Sequence, residues 1–257
     1  TISTTDIADL DDLTGTGNAY TITIGTTSVT AAALNTVDGA TTVAVNATAV
    51  TTITGAASAV NTALSSSGIN GLGEEFVTLT GSTSVSDANT ISGKTTGAVT
   101  ATITEGDVST LKTLNETTNA YTLVITDTTV AAADLETLDG LTTVAVDASN
   151  VTVLTGSISA VTDIYAANTA GTISGLGNEA VTISDSVLVA VASLNTLDGK
   201  TTGQINASSI QSMTGIAADL NTAYASNGIT GLGDEAVTIS DTSLASSVLN
   251  TLDGNTT

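Results

Sequence analysis

The stretch NAYTITIGTTSVTAAALNTVDGATTVAVNATAVTTITGAASAV occupies residues 18–60, and it returns at residues 119–161 as NAYTLVITDTTVAAADLETLDGLTTVAVDASNVTVLTGSISAV. The offset between the two copies is constant, since Tyr20 matches Tyr121 at a distance of 101 positions. A fixed period of this kind is typical of units that stack along one axis and contact mainly their neighbours. The sequence therefore predicts a repeat array and not a domain built around one closed core.

A shorter motif recurs inside the long repeat. Four copies read LNTVDG, LETLDG, LNTLDG and LNTLDG, and a weaker copy reads ANTISG. In chain order the five copies begin at Leu34, Ala88, Leu135, Leu194 and Leu249. We expect one continuous array over residues 1–257, with a first unit at 1–100, a second at 101–203 and a partial copy at 204–257. We also expect this array to be a fragment of a longer chain.

Alternating apolar and polar residues predict β-strands. In residues 236–240 Val237 and Ile239 fall on one face, and residues 20–24 and 42–46 alternate in the same way. Such alternation, rich in β-branched residues, indicates half-buried strands. One inward residue per run is expected at Ile24, Val45, Leu79, Ile103, Ile125, Val146, Ile183, Ile205 and Ile239. We expect them to line one interior formed by stacked parallel strands.

Stretches with helical periodicity follow the alternating runs. After the last run, residues 241–243 (DTS) form a favourable N-cap cluster, and Gly254 stands where a glycine ends a helix. One apolar helical face lies between them, formed by Leu244, Val248, Leu249 and Leu252. The same pattern recurs at Val29, Ala33, Leu34, Val37 and Gly39, and a second helix is predicted from Ile216, Leu220 and Tyr224. We expect replacement of the anchor Leu249 by Ala to cost about 2–5 kcal/mol.

These patterns together predict the fold class. A strand, a helix, a glycine turn and a further strand favour an α/β solenoid: stacked coils with a parallel β-sheet face and short helices on the return path. If the return segments are irregular corners instead of helices, the alternative is a pure right-handed β-solenoid.

The charge of the chain restricts its partners. The net charge is −22, from 25 acidic residues against three basic ones, and the basic residues are all lysine. Nucleic-acid binding depends on neutralising phosphates with Lys and Arg, so we expect no nucleic-acid partner. No apolar run approaches the ~20 residues of a membrane helix, so we expect no membrane insertion.

The composition also disfavours catalysis. The chain has neither His nor Cys, which removes the Ser-His-Asp and Cys-His arrangements. A pair of carboxylates can hydrolyse glycosides, but a catalytic pair is expected once and not in every unit. The acids here recur as Asp38, Asp139, Asp198 and Asp253 before a glycine, and as Asp127, Asp185 and Asp241 after a strand. We interpret them as helix caps and turn residues, expect no enzyme activity, and assign no catalytic or cofactor-binding residue.

Calcium binding is a more specific alternative than catalysis for the role of the acidic residues. Glycine-rich bends precede acids in GLGEE, GLGNE and GLGDE, and hard oxygen ligands on a loop suit Ca²⁺. These acids are Glu74, Glu75, Glu179, Asp234 and Glu235, and Asn178 replaces one of them. No segment matches an EF-hand loop or a calcium-binding nonapeptide, so we assign no metal ligand and expect no cofactor, with solvated acidic turns as the main interpretation.

Outward threonines offer a second binding hypothesis. Thr-x-Thr pairs recur at Thr21, Thr23, Thr100, Thr102 and Thr104, and a flat array of such pairs is one way to bind ice. Ala44, Ala145 and Gln204 interrupt the equivalent positions, so ordinary β-propensity is the simpler explanation.

Two of the longer segments carry a resemblance to a known group of proteins. SDTSLASSVLNTLDGNTT and MTGIAADLNTAYASNGITGLGDEAVTISD resemble the repeats of very large secreted and cell-surface proteins of marine cyanobacteria and other Gram-negative bacteria. The resemblance implies an extracellular or cell-surface location and a role like that of adhesins, S-layer coats or surface filaments. It brings no catalytic residues.

Two functional hypotheses follow. The first is a structural and adhesive solenoid, a rigid segment of a surface layer, adhesin stalk or filament, whose partners are copies of itself or neighbouring repeats end to end, with a cell-surface matrix as a further partner. The second is a ligand-binding solenoid that holds Ca²⁺, glycan or ice on its acidic turns or its threonine face.

Overall fold

The computed structural model describes residue 2 and residues 4–256, and it shows an α/β protein in which parallel strands alternate with helices. The chain divides into two compact units. One contains the residues up to Val124 together with Gly140–Val144, and the other contains Ile125–Asp139 and the residues from Ala145 onward.

The first unit has five helices and seven strands among its described residues. The helices are α1 (Ile7–Leu10), α2 (Ala31–Gly39), α3 (Ala57–Ser65), α4 (Val85–Ser92) and α5 (Val108–Leu111). The strands are β1 (Ser28–Thr30), β2 (Val45–Asn46), β3 (Thr52–Gly55), β4 (Ile69–Asn70), β5 (Phe76–Thr83), β6 (Val99–Ile103) and β7 (Ala120–Thr122). A five-stranded sheet has the order β1-β3-β5-β6-β7, and β2 pairs with β4.

The second unit has five helices and ten strands within the described part of the chain. The helices are α6 (Ala132–Asp139), α7 (Ile158–Ala170), α8 (Val191–Asp198), α9 (Ala217–Ala225) and α10 (Ser246–Asp253). The strands are β8 (Thr129–Ala131), β9 (Val146–Asp147), β10 (Val153–Gly156), β11 (Ile173–Ser174), β12 (Ala180–Ile183), β13 (Val189–Ala190), β14 (Ile205–Asn206), β15 (Ser212–Gly215), β16 (Ile229–Thr230) and β17 (Ala236–Ile239). They form sheets of order β16-β14-β12-β10-β8, β13-β15-β17 and β11-β9.

Every strand pair defined above is parallel, as predicted. Paired residues lie between 20 and 27 positions apart, most often 24, and we call the segment between two paired residues a coil. Val29 pairs with Ile53 and Ile53 with Val77, each 24 positions later. The interval grows to 27 where Leu154 pairs with Val181. The intervening helix α7 has 13 residues, whereas α6 and α8 have eight each, so a longer helix accounts for the longer coil.

The predicted helices are confirmed, but α2 and α9 begin after the first apolar residue of the pattern that predicted them. In α2 the Thr30 side chain accepts a hydrogen bond from the Ala33 backbone N–H at 3.1 Å, and Leu34 and Val37 face the core. Val29 belongs to β1, because the last residues before the helix pair with the next coil. Ile216 is the N-cap of α9 and not one of its turns.

Eight of the nine predicted inward residues are buried, and Ile239 is half-buried. They do not form consecutive rungs of one ladder. Val45 pairs with Ile69 in the small β2-β4 sheet, whereas Leu79 lies opposite Gly55 in the five-stranded sheet. Strands from the same part of the chain therefore enter different sheets, and the prediction that the nine residues line one stack of parallel strands was wrong in this respect.

The predicted anchor Leu249 is also different from expectation. Its side chain is 47% exposed, whereas its counterparts Leu34, Leu135 and Leu194 are buried. Within α10 only Leu252 is buried. Leu34, Leu135 and Leu194 lie on helices that pack against the next helix along the chain, which is α3, α7 and α9 respectively.

Candidate functional site

The GLGxE bends hold their last carboxylate inside the protein. Glu75 and Glu179 are each 1% exposed, and Glu235 is 5% exposed. Each accepts a hydrogen bond from the backbone N–H of the glycine two positions earlier, at 2.8 Å from Gly73 to Glu75. The same contact in three copies gives the buried carboxylate a structural role.

A tyrosine completes two of these bends. The Tyr165 hydroxyl donates to Glu179 Oε2 at 3.0 Å, and the Tyr224 hydroxyl donates to Glu235 Oε2 at the same distance. Burial, together with the neighbouring carboxylate, raises the pKa of both tyrosines well above the usual value. The sequence analysis missed these partners, because the tyrosine stands at different distances before the glutamate, 14 positions for Tyr165 and 11 for Tyr224.

The five acids of the calcium hypothesis differ in exposure. Glu74 and Asp234 are exposed, while the buried glutamates bond to backbone and tyrosine groups. Over residue 2 and residues 4–256 no cluster of three or more acidic side chains is arranged to hold a metal ion.

The aspartates before the glycine turn connect one coil with the next. Ser66 Oγ donates to Asp38 Oδ2 at 2.6 Å, and Ser226 Oγ donates to Asp198 Oδ2 at 2.7 Å. Thr172 donates to Asp139 in the same way. These acids act as fixed acceptors between coils.

Aspartates after a strand cap the helix of the preceding coil. Asp185 Oδ2 accepts from the Ile158 N–H at the start of α7, and Asp241 Oδ2 accepts from the Ala217 N–H at the start of α9, both at 2.7 Å. A carboxylate at a helix N-terminus is favoured by the helix dipole. The interpretation of these two acids as caps is confirmed. The prediction that Asp241 belongs to the N-cap of the following helix was wrong, because it caps α9, and the N-cap of α10 is Ala245 with no side-chain hydrogen bond.

The outward threonines lie where the alternation predicts. Thr21, Thr23, Thr100, Thr102 and Thr104 are all exposed. Nothing beyond this exposure distinguishes their face as a binding surface.

A cleft of about 360 Å³ lies in the second unit between α7 and α8. Its polar lining is Ser159, Thr162, Asp163, Asp185, Ser193 and Thr196. Its apolar lining is Ile158, Val187, Leu188, Val189 and Ala190. We refer to Val187 and Leu188, which are 63% and 74% exposed, as the apolar lip.

The apolar lip results from a one-residue insertion. Ile183 is followed by Leu194 after 11 positions, whereas the matching residues in the other three copies are ten positions apart: Ile24 and Leu34, Ile125 and Leu135, and Ile239 and Leu249. Leu188 adopts φ +52°, the only positive φ of a non-glycine residue within the described chain. The framework keeps its register, since Val189 pairs with Met213 as Val130 pairs with Leu154.

Comparison with known proteins gives no family for this chain: no family model, no curated protein and no solved structure matches it. A search of the described helices finds none that is both long and apolar enough to cross a membrane.

Proposed function

We propose that the chain is a rigid structural and adhesive segment of an extracellular or cell-surface protein, built as an α/β solenoid, and that it performs no catalysis. The main support for this proposal is a hydrogen bond from a side chain to the backbone that recurs at a constant interval along the chain. The amide nitrogens of Asn35, Asn89 and Asn195 donate to the backbone oxygens of Ala59, Thr113 and Asp219, each 24 positions later, at 2.8–3.0 Å.

The repeated bond supports a load-transmitting role. Each asparagine lies on a helix and reaches the next coil, so neighbouring coils are joined by a directional bond besides apolar packing. The Asp38–Ser66 and Asp198–Ser226 bonds join successive coils a second time. Polar contacts that recur in each unit resist sliding of one coil over another more than apolar packing alone does.

The lack of catalysis is supported by how the acids are used. The buried glutamates, the turn aspartates and the capping aspartates accept bonds from backbone and hydroxyl groups of the fold. The same use is repeated from coil to coil, and repetition is expected of structure and not of a single reaction centre.

End-to-end contact is the proposed mode of assembly. Among the described residues the last strand β17 pairs with β15 alone, and Ile239 of this strand and Leu249 of the last helix are more exposed than their counterparts. An open parallel edge flanked by apolar side chains templates pairing with another coil. The net charge of −22 opposes this contact, and salt screens it over about 8 Å at physiological ionic strength.

Light scattering and electron microscopy across a NaCl series test the proposal. We expect end-to-end filaments that grow with salt in the unmodified chain and are lost in Leu249→Glu. Phe76→Glu is the matched control, since it adds the same charge at a side chain that is 60% exposed in the first unit. A chain that stays monomeric at high salt and high concentration contradicts assembly through this edge.

Ligand binding through the acidic turns or the threonine face is the weaker candidate. The inner glutamates of the turns are buried and bonded, and the threonines are exposed without further organisation.

A further inference from the structure

The apolar lip is placed against solvent at a conformational cost. Positive φ is disfavoured for a residue with a branched side chain, and the backbone of Leu188 adopts it while its side chain gains no burial. The conformation is held in place, because the Leu188 N–H donates to Ser212 Oγ at 2.7 Å and the Gln211 N–H donates to Ser186 O at 2.6 Å. An exposed leucine fixed in this way is pre-organised to contact something outside the fold.

The polar wall of the cleft presents acceptors. Thr162 Oγ1 donates its hydrogen to Ile158 O at 2.7 Å, and Thr196 Oγ1 donates to Ala192 O at 2.8 Å. Each hydroxyl has therefore used its one hydrogen within its own helix, and its lone pairs remain for a donor in the cleft.

The ionisable side chains that line the cleft are both acidic. Asp163 lies on the exposed side of α7, and Asp185 lies at the N-terminus of the same helix. No lysine lines the cleft among the described residues. A donor that carries a positive charge therefore complements both the acceptors and the field of the cleft.

We propose that the cleft binds a lysine side chain presented by an apolar segment of a partner polypeptide. An ammonium group supplies up to three donors and one positive charge. Its aliphatic stem and the neighbouring apolar residues cover Val187 and Leu188. A polypeptide fits better than a free amine, since the apolar lip extends beyond the cleft. A group that fills only the cleft would leave Val187 and Leu188 exposed.

This inference is independent of the assembly proposed above. The cleft lies between α7 and α8, and the assembly edge is formed by β17 and α10. Loss of filaments in Leu249→Glu leaves binding at the cleft intact, so the two proposals fail in different experiments.

The test is a titration of the full chain with short peptides, followed by calorimetry and by NMR shifts. The probe is acetyl-Leu-Lys-Leu-amide, and the matched neutral peptide is acetyl-Leu-Gln-Leu-amide. We expect the lysine peptide to shift α7, α8 and residues 185–190, and the glutamine peptide to bind about tenfold more weakly. Hexylammonium is the third arm, and we expect it to bind more weakly than the lysine peptide because it leaves Leu188 uncovered.

Two variants separate the contributions to binding. Asp163→Asn removes one exposed charge and should weaken the lysine peptide about two- to fivefold. Deletion of Leu188 restores the ten-residue spacing of the other copies and should weaken it about tenfold or more. Asp219→Asn on α9 carries the same charge change outside the cleft and should leave affinity unchanged. Circular dichroism checks that each variant is folded.

Three outcomes overturn the proposal. Equal binding of the lysine and glutamine peptides shows apolar docking without recognition of the ammonium group. Hexylammonium binding as tightly as the lysine peptide shows that the cleft takes a free amine. An unchanged affinity in both Asp163→Asn and the Leu188 deletion shows that binding takes place elsewhere.

Discussion

Threonines a few residues before β2 and β9 bond to the backbone of a tyrosine 21 positions earlier. Thr142 is 8% exposed, and its hydroxyl donates to Tyr121 O at 2.7 Å and accepts from the Tyr121 N–H at 2.9 Å. Thr41 makes the same pair of bonds to Tyr20 in the preceding copy. One hydroxyl thus makes both of the hydrogen bonds that a neighbouring strand would make to this residue.

Replacing Thr142 by Val should therefore be costly despite the similar shape. We expect a loss of about 1–3 kcal/mol in the free energy of unfolding, because the Tyr121 N–H and C=O lose their partner away from water. Urea unfolding measures it. Thr143→Val, at the exposed neighbouring position, is the control, and equal losses in the two variants would argue against this role.

The tyrosine–glutamate pairs predict a pH dependence. Burial raises the pKa of Tyr165 in the folded chain, so the folded chain favours the neutral hydroxyl more strongly than the unfolded chain does. The stability it contributes is complete below the ordinary tyrosine pKa of about 10 and declines as pH rises above it. We expect Tyr165→Phe to reduce the decline of stability above pH 10, by up to about 1.4 kcal/mol per pH unit. Identical slopes for variant and parent would contradict the burial of this hydroxyl.

At the scale of elements, the two LNTLDG copies give a matched comparison. Leu194 in α8 is buried, whereas Leu249 in α10 is 47% exposed. We expect Leu194→Ala to cost about 2–5 kcal/mol, since it leaves a cavity between coils, and Leu249→Ala to cost less than about 1 kcal/mol. Thermal and urea unfolding give both values. Similar losses would mean that α10 is covered in solution.

The sequence predicted the elements that carry long patterns. The LxTxDG motif with its glycine predicts α2, α8 and α10, and period-2 alternation predicts β6 and β17. The same alternation wrongly predicted a strand at residues 20–24, which form only an isolated bridge at Thr23. It missed strands such as Thr52–Gly55, where Ile53 is the one buried residue between threonines and no alternation can be read. Their pairing is decided by the coil length of 24 residues, a tertiary property.

The cleft and its apolar lip were not predicted from the sequence for a different reason. The insertion at Leu188 is visible in the sequence once the four Ile-to-Leu spacings are compared, as eleven against ten. Its consequence, a leucine turned outward beside two rows of helical hydroxyls, depends on α7 and α8 lying side by side, and a single copy of the repeat does not contain that information.

On the scale of the whole molecule, the charge of −22 opposes the compact state. We expect the thermal midpoint to rise as NaCl goes from about 10 mM to 150 mM, since the screening length falls from roughly 30 Å to 8 Å. Circular dichroism measures the midpoint, with an equal osmolality of sucrose as the control for effects other than screening. A midpoint independent of NaCl would show that the acids are spaced too widely to repel.

The extra residue at Leu188 shows how such a chain tolerates changes of length. The insertion is absorbed at a corner, and Val189 still meets Met213 in register. A residue added inside β12 would instead turn every following side chain of that strand to the opposite face. Corners are therefore the positions where insertions and deletions accumulate at low cost, and descendants of one ancestral coil can acquire distinct recognition features there while the ladders stay constant. For protein engineering, the position of Leu188 is accordingly the natural place to graft a foreign loop.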